Sequence, residues 1–157
     1  MRHAATRRNG GSVFVDYAHT PDAVATALMA MRPHVMGKLI AIVGAGGDRD
    51  TGKRPLMGQA AVQNADMVFV TDDNPRSEDP RVIRAAVMAG ALENAAGQSV
   101  IEVGDRAEAI LRSIDAVSYT PPTLPTTREA YCTDRSFATT DYVTDALIPA
   151  TLTNACA

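Results

Sequence analysis

The chain has 157 residues, enough for one domain with a real hydrophobic core but not for a second large one. Fifteen Lys and Arg against 18 Asp and Glu leave a net charge of −3, which argues against a nucleic-acid partner. No run approaches the roughly 18 apolar residues of a membrane span, and the start lacks the apolar core of a secretory signal, so a cytoplasmic protein without membrane contact is expected.

Residues 1–11 are a basic arm carrying Arg2, Arg7 and Arg8, read as a frayed, solvated end. From Ser12 to Val117 short apolar runs alternate with helix-period segments, the pattern of successive βαβ units. The expected fold is therefore α/β, three-layer and Rossmann-like, a mostly parallel sheet flanked by helices. Strands are expected at 12–16, 39–43, 67–71 and 99–103, all short and apolar as buried strands should be.

The first helix opens with Thr20 as N-cap and Pro21 at the first helical position, and carries Val24, Ala27, Leu28 and Met31 at helical spacing. A second begins near Lys53 to Pro55 with Leu56, Met57, Ala60 and Ala61 on its core face. A third opens at Asp79 and Pro80 and buries Val82, Ile83, Ala86 and Val87. The fourth opens with Asp105 and Glu108 in a capping-box arrangement ahead of Ile110, Leu111 and Ile114.

From Ser118 the pattern changes. Ten of the fifteen threonines fall in residues 118–157, with Pro121, Pro122 and Pro125 close together, and no period survives. This tail reads as an irregular loop with a late strand, as disorder, or as a shifted reading frame. Cys132 and Cys156 fit neither a CxxC nor a Cys/His metal pattern and are read as free thiols, and no metal site is expected.

Three polar clusters follow the first three strands, so a parallel sheet would bring them to one edge, where such sheets bind ligands. Asp16 and His19 end the first strand. An aspartate there suits ribose hydroxyls, while a lone histidine such as His19 near a helix start is more often structural. Gly44-Ala45-Gly46-Gly47 and the following Arg49, Lys53 and Arg54 lead into the second helix; glycines permit close approach to a ligand, and Lys53 and Arg54 could add charge against phosphate or carboxylate. It is not a Walker A loop, and a tight turn with solvated charges explains it as well.

Asp73, Asn74 and Arg76 follow the third strand. An arginine grips a carboxylate with two parallel hydrogen bonds, and the acid and amide can receive an ammonium, so this cluster suggests a reader of amino acids. No nucleophile–base arrangement is evident, and the site is built to bind and position.

The ordered runs Asp16 to Pro21, Gly44 to Pro55 and Thr71 to Arg76, with Arg81 and Asp105 to Glu108, resemble the C-terminal domain of the Mur ligases, the diaminopimelate-adding members above all, over residues 10 to 117. The resemblance implies a peptidoglycan-synthesis ligase of the cell wall, linked to cell shape and division. An ATP-formed acyl phosphate on UDP-MurNAc-L-Ala-D-Glu is attacked there by the amino group of meso-diaminopimelate. It also implies roles by position. Asp16 binds the ATP ribose with His19 in support, while Arg49, Asp73, Asn74 and Arg76 hold meso-diaminopimelate, Arg76 on its distal carboxylate. Lysine lacks that carboxylate, and an unpaired guanidinium in a closed site costs about 1 to 3 kcal/mol, so diaminopimelate is the expected substrate rather than lysine.

In the family, ATP and magnesium are bound mainly by a central domain with a P-loop, and a further N-terminal domain holds the UDP-sugar. The 157 residues contain neither, so the chain reads as a fragment that does not form the amide bond alone. The family pattern also continues into an apolar strand and a Lys-Gly-His-Glu segment whose glutamate binds the amino group of diaminopimelate. Residues 118–157 do not reproduce it, so an incomplete amino-acid site and missing last sheet strands are expected. A stand-alone module binding an amino acid or nucleotide, and a scaffold without catalysis, are the competing expectations.

Overall fold

In the computed structural model, residues 2–6, 11–118 and 128–133 are described. The chain runs β1 (Arg2–Thr6), β2 (Gly11–Asp16), α1 (Pro21–Met31), β3 (Leu39–Val43), α2 (Lys53–Asn64), β4 (Met67–Val70), α3 (Pro80–Glu93), β5 (Ser99–Glu102), α4 (Arg106–Ser118) and β6 (Arg128–Thr133). The six strands form one sheet in the order β1-β2-β6-β3-β4-β5, parallel except where β1 pairs antiparallel with β2.

The layering follows from handedness. The path from β2 through β3 and β4 to β5 steps across the sheet in one direction, and right-handed crossovers then place α1, α2 and α3 on the same face. The return step from β5 to β6 runs the other way, so α4 lies on the opposite face. The two apolar clusters record this arrangement. Leu39, Ala41 and Val43 of β3 point into the cluster of α1, α2 and α3, and Ile40 and Ile42 into that of α4. All five β3 side chains are buried, which explains why the strand reads as an unbroken apolar run.

The helix starts form as their residues dictate. Thr20 Oγ1 accepts from the Ala23 amide at 3.3 Å, and Asp79 Oδ1 from the Arg81 amide at 2.9 Å. Asp105 Oδ1 caps the Glu108 amide at 2.7 Å, while the Glu108 carboxylate itself takes a hydrogen bond from Arg112 one turn on.

Three helix positions, the frayed basic arm and the missing last strands need correction, while the late strand expected as one reading of the tail is present. Leu56, Val82 and Leu111, placed on core faces, are exposed. Each directly precedes or follows a residue that does face the sheet, and successive helical residues point about 100° apart, so an apolar pair seldom shares the core. The basic arm supplies strand β1, and β6 comes from the Thr/Pro-rich tail and sits inside the sheet between β2 and β3. The sheet therefore does not lack its return strand. The rest of the tail, including Cys156, lies outside the described residues.

Candidate functional site

The C-terminal ends of the parallel strands share one edge, and a cleft of about 790 Å³ opens there. It is lined by Tyr17, Ala18 and His19 after β2, by Gly44, Ala45, Gly46, Arg49 and Asp50 after β3, by Lys53, Arg54 and Met57 of α2, and by Asp73, Asn74 and Arg76 after β4. The three clusters expected from the sequence thus converge, with the exception of Asp16, which closes β2 half-buried and is not among the lining residues. Tyr17, Asp50 and Met57 also belong to the wall and were not expected as site residues, Met57 having been placed on the core face of α2.

Two loops are locked together at this edge. The Gly47 amide donates to Asn74 O at 2.9 Å, and Arg76 Nη1 to Gly47 O at 3.2 Å. A side chain on Gly47 would bring its Cβ to 1.9 Å from Pro75 O, so only glycine lets the second loop lie this close. The Asn74 side chain turns the chain by accepting from the Arg76 amide at 3.2 Å. Asp48 and Arg76 both adopt left-handed backbone, φ 50° and 51°, a conformation that costs a residue with a Cβ and persists only where neighbours hold it.

The neighbour that holds Asp48 is Glu78. Its Oε1 accepts from the Asp48 amide at 2.6 Å and from Arg54 Nη2 at 2.7 Å, and its Oε2 from Arg54 Nη1 at 2.9 Å. Ser77 Oγ donates to Asp48 Oδ1 at 2.6 Å. The Arg54 guanidinium, and then the Asp48 amide, hold the Glu78 carboxyl below its ordinary value.

This changes the reading of the two cations at the start of α2. Arg54 is 3 % exposed and engaged in a forked pair with Glu78, so it braces the loops while also forming part of the cleft wall. Lys53 remains exposed, with Asp50 at 3.8 Å. Glu78 and Ser77 were missed by the sequence reading. Their only signal was an acid and a hydroxyl just past Arg76, complementary to a cation 24 positions earlier in the chain.

After β2, His19 Nδ1 lies 3.0 Å from Tyr17 O, which makes Nδ1 the protonated nitrogen of that contact. The two rings meet edge to face at a centroid distance of 5.2 Å. Beneath the cleft, Arg106 at the start of α4 is buried and reaches Asp72 O at 3.4 Å. Arg84 joins Asp72 and Glu102, the latter at 2.8 Å, so the carboxylate next to Asp73 in sequence is already engaged. Among the described residues no group of three His, Cys, Asp or Glu side chains could hold a metal ion, and no helix is long and apolar enough to cross a membrane.

Residues 1–120 match the model of the Mur ligase glutamate ligase domain. The chain belongs to that family. It is 56% identical over 108 residues to UDP-N-acetylmuramoyl-L-alanyl-D-glutamate–2,6-diaminopimelate ligase of Bradyrhizobium diazoefficiens, and 58% identical over 109 residues to the ligase of that name from Caulobacter vibrioides. In both cases the match covers 69% of this chain and 21% of the relative, so the chain spans about a fifth of the length of these proteins.

A solved structure of a diaminopimelate ligase of the same name superposes with a TM-score of 0.65 at 36% identity, covering 86% of this chain and 26% of that one. Folylpolyglutamate synthase of Mycobacterium tuberculosis, solved with ADP and AMPPCP, shares the fold at a TM-score of 0.59 and 18% identity over 84% of this chain and 28% of that one. The chain is thus a Mur ligase C-terminal domain of Rossmann-like α/β fold, and the two sequence relatives named above are diaminopimelate ligases.

Proposed function

We propose that this chain is the amino-acid-presenting domain of an ATP-dependent ligase that adds meso-diaminopimelate to UDP-MurNAc-L-Ala-D-Glu in cytoplasmic peptidoglycan synthesis. The observation that supports it most is the convergence of Arg49 and Arg76, from two different loops, on one cleft that also holds Asp73 and Asn74. Diaminopimelate carries two carboxylates and two ammonium groups, and a wall of mixed sign suits such a zwitterion better than a simple anion. Arg76 takes the distal carboxylate, Arg49 supports the other, and Asp73 receives an ammonium.

The lining of the cleft also fits a nucleotide at its β2 side, where Tyr17 and His19 stand, with Asp16 as the acceptor for ribose hydroxyls at the strand end. ATP supplies the acyl phosphate on which the amine acts. Its phosphates and magnesium are assigned to the central domain of the full-length enzyme, as the family resemblance implies. The chain alone binds and orients, and it forms no amide bond.

An ATP-dependent ligation assay tests this, run with the chain alone and again with the N-terminal and central domains supplied. Turnover only in the second case supports the reading. Turnover by the chain alone overturns its account as an incomplete enzyme, and binding of an amino acid with no turnover in either case favours a stand-alone binding module.

A further inference from the structure

We propose that the Arg54–Glu78 pair is a positioning device that holds Arg49 and Arg76 at a fixed spacing by clamping the backbone of Asp48; as a statement about recognition, it rests on the reading of those two arginines as carboxylate binders. Neither member of the pair needs to touch the ligand. Arg49 and Arg76 sit on separate loops, after β3 and after β4, and each is at or next to one of the two left-handed non-glycine residues of the structure's described part. Their separation is therefore set by whatever fixes those two backbone conformations.

Glu78 Oε1 is the point where the constraints meet. It accepts from the Asp48 amide at 2.6 Å and from Arg54 at 2.7 Å, so one carboxylate oxygen ties the turn before Arg49 to helix α2. Glu78 itself lies two residues beyond Arg76, and its amide donates to Pro75 O at 3.0 Å, so the same side chain is rigidly attached to the turn that carries Arg76. Ser77 adds a second tie to Asp48 at 2.6 Å. Arg54 is buried and spends both terminal nitrogens on Glu78, whose two oxygens are thereby engaged, so the hydrogen bonds of the pair are directed at each other and at Asp48. The effect is preorganisation: the arginines reach a dicarboxylate without first having to order two loops.

The test compares the whole chain with Glu78→Gln, which keeps shape and removes charge, and with Arg54→Met/Glu78→Leu, which replaces the pair by apolar groups and so avoids stranding a buried cation. The first readout needs no ligand. Amide hydrogen exchange at Asp48 should accelerate at least tenfold in both variants, and the backbone resonances of Asp48, Arg49 and Arg76 should shift, while those of Ile42 and Val70 in the sheet stay in place. Unmoved Arg49 and Arg76 resonances in a folded variant would overturn the proposal and leave the pair as a stability element only.

The second readout is calorimetric titration with meso-diaminopimelate. Wild-type binding weakened at least tenfold in the double variant, at similar melting temperature, supports positioning for recognition, and equal binding overturns it. If the wild type does not bind while the loop resonances of the variants move, the clamp stands and the reading of the chain alone as a diaminopimelate binder falls.

Discussion

The two faces of the sheet are built differently. One is covered by α1, α2 and α3, with Val24, Leu28, Met31, Met57, Ala61, Ile83 and Val87 packed into a single cluster; the other is covered by α4, with a smaller cluster around Phe69, Ile114 and Val117. Both loops proposed to read carboxylates lead into helices of the first face, and those helices pack backbone against backbone. A Cβ on Gly58 would lie 2.0 Å from Val87 O, and one on Gly90 would lie 2.0 Å from Pro55 O. The loops are thus fixed at their helical ends by this crossing and at their tips by Glu78. Rigidity is concentrated where the site needs it, and the α4 face serves as support.

Truncation on the two faces should separate them most clearly. Leu28→Ala removes a fully buried side chain wedged between α1 and the sheet and is expected to cost about 4 kcal/mol, against about 2 kcal/mol for Ile114→Ala in the smaller cluster. Urea unfolding measures both, and equal losses would mean that the faces contribute alike. Gly90→Ala comes next, at about 3 kcal/mol, because the obstacle is the Pro55 carbonyl and not the movable end of a side chain. If its unfolding midpoint matches that of the wild type, the close crossing of α2 and α3 is not what holds the loops.

Arg76→Lys sharpens the comparison at the site itself. A lysine keeps the charge but loses the forked geometry, so affinity for meso-diaminopimelate should fall at least tenfold, or about 1.4 kcal/mol, with stability nearly unchanged because Arg76 is exposed. Calorimetry with diaminopimelate and with lysine on both proteins is the check. Equal affinity of the wild type for the two amino acids would remove Arg76 as the discriminator.

Most of this layout was legible in the sequence because strands and caps are local. The runs at 39–43 and 67–71 are apolar without interruption, and Thr20, Asp79 and Asp105 are residues whose side chains must cap if a helix follows. The convergence of three clusters also followed, since parallel strands end on one edge. What stayed hidden is non-local. Arg54 looks like any basic residue at a helix start until Glu78, 24 residues on, is brought against it. Leu56, Val82 and Leu111 share the character of their buried neighbours, and only the direction in which each helix faces the sheet separates them. Strands β1 and β6 lack the long apolar runs of β3 and β4, and they are defined by the partners on which they pair.

The smallest expected effect lies in the acid limb of stability, where the loop brace and the bulk of the fold should part company. The folded Glu78 carboxyl is held below its ordinary value of 4.5 by Arg54 and by the Asp48 amide. A group whose folded value is depressed contributes stability that is fully present above the unfolded value and is lost as pH falls through the folded one. The contribution of Glu78 should therefore be intact at neutral pH and fade only below about pH 4.5. Asp79, held down by the Arg81 amide and side chain, acts in the same direction from its ordinary 3.8. In Glu78→Gln the melting temperature should be lower than wild type at neutral pH, and the two curves should approach each other as the solution is acidified. Parallel curves throughout would mean that the Glu78 charge does not stabilise the folded loops, and that the clamp on Asp48 is held by Ser77 and the glycine contacts alone.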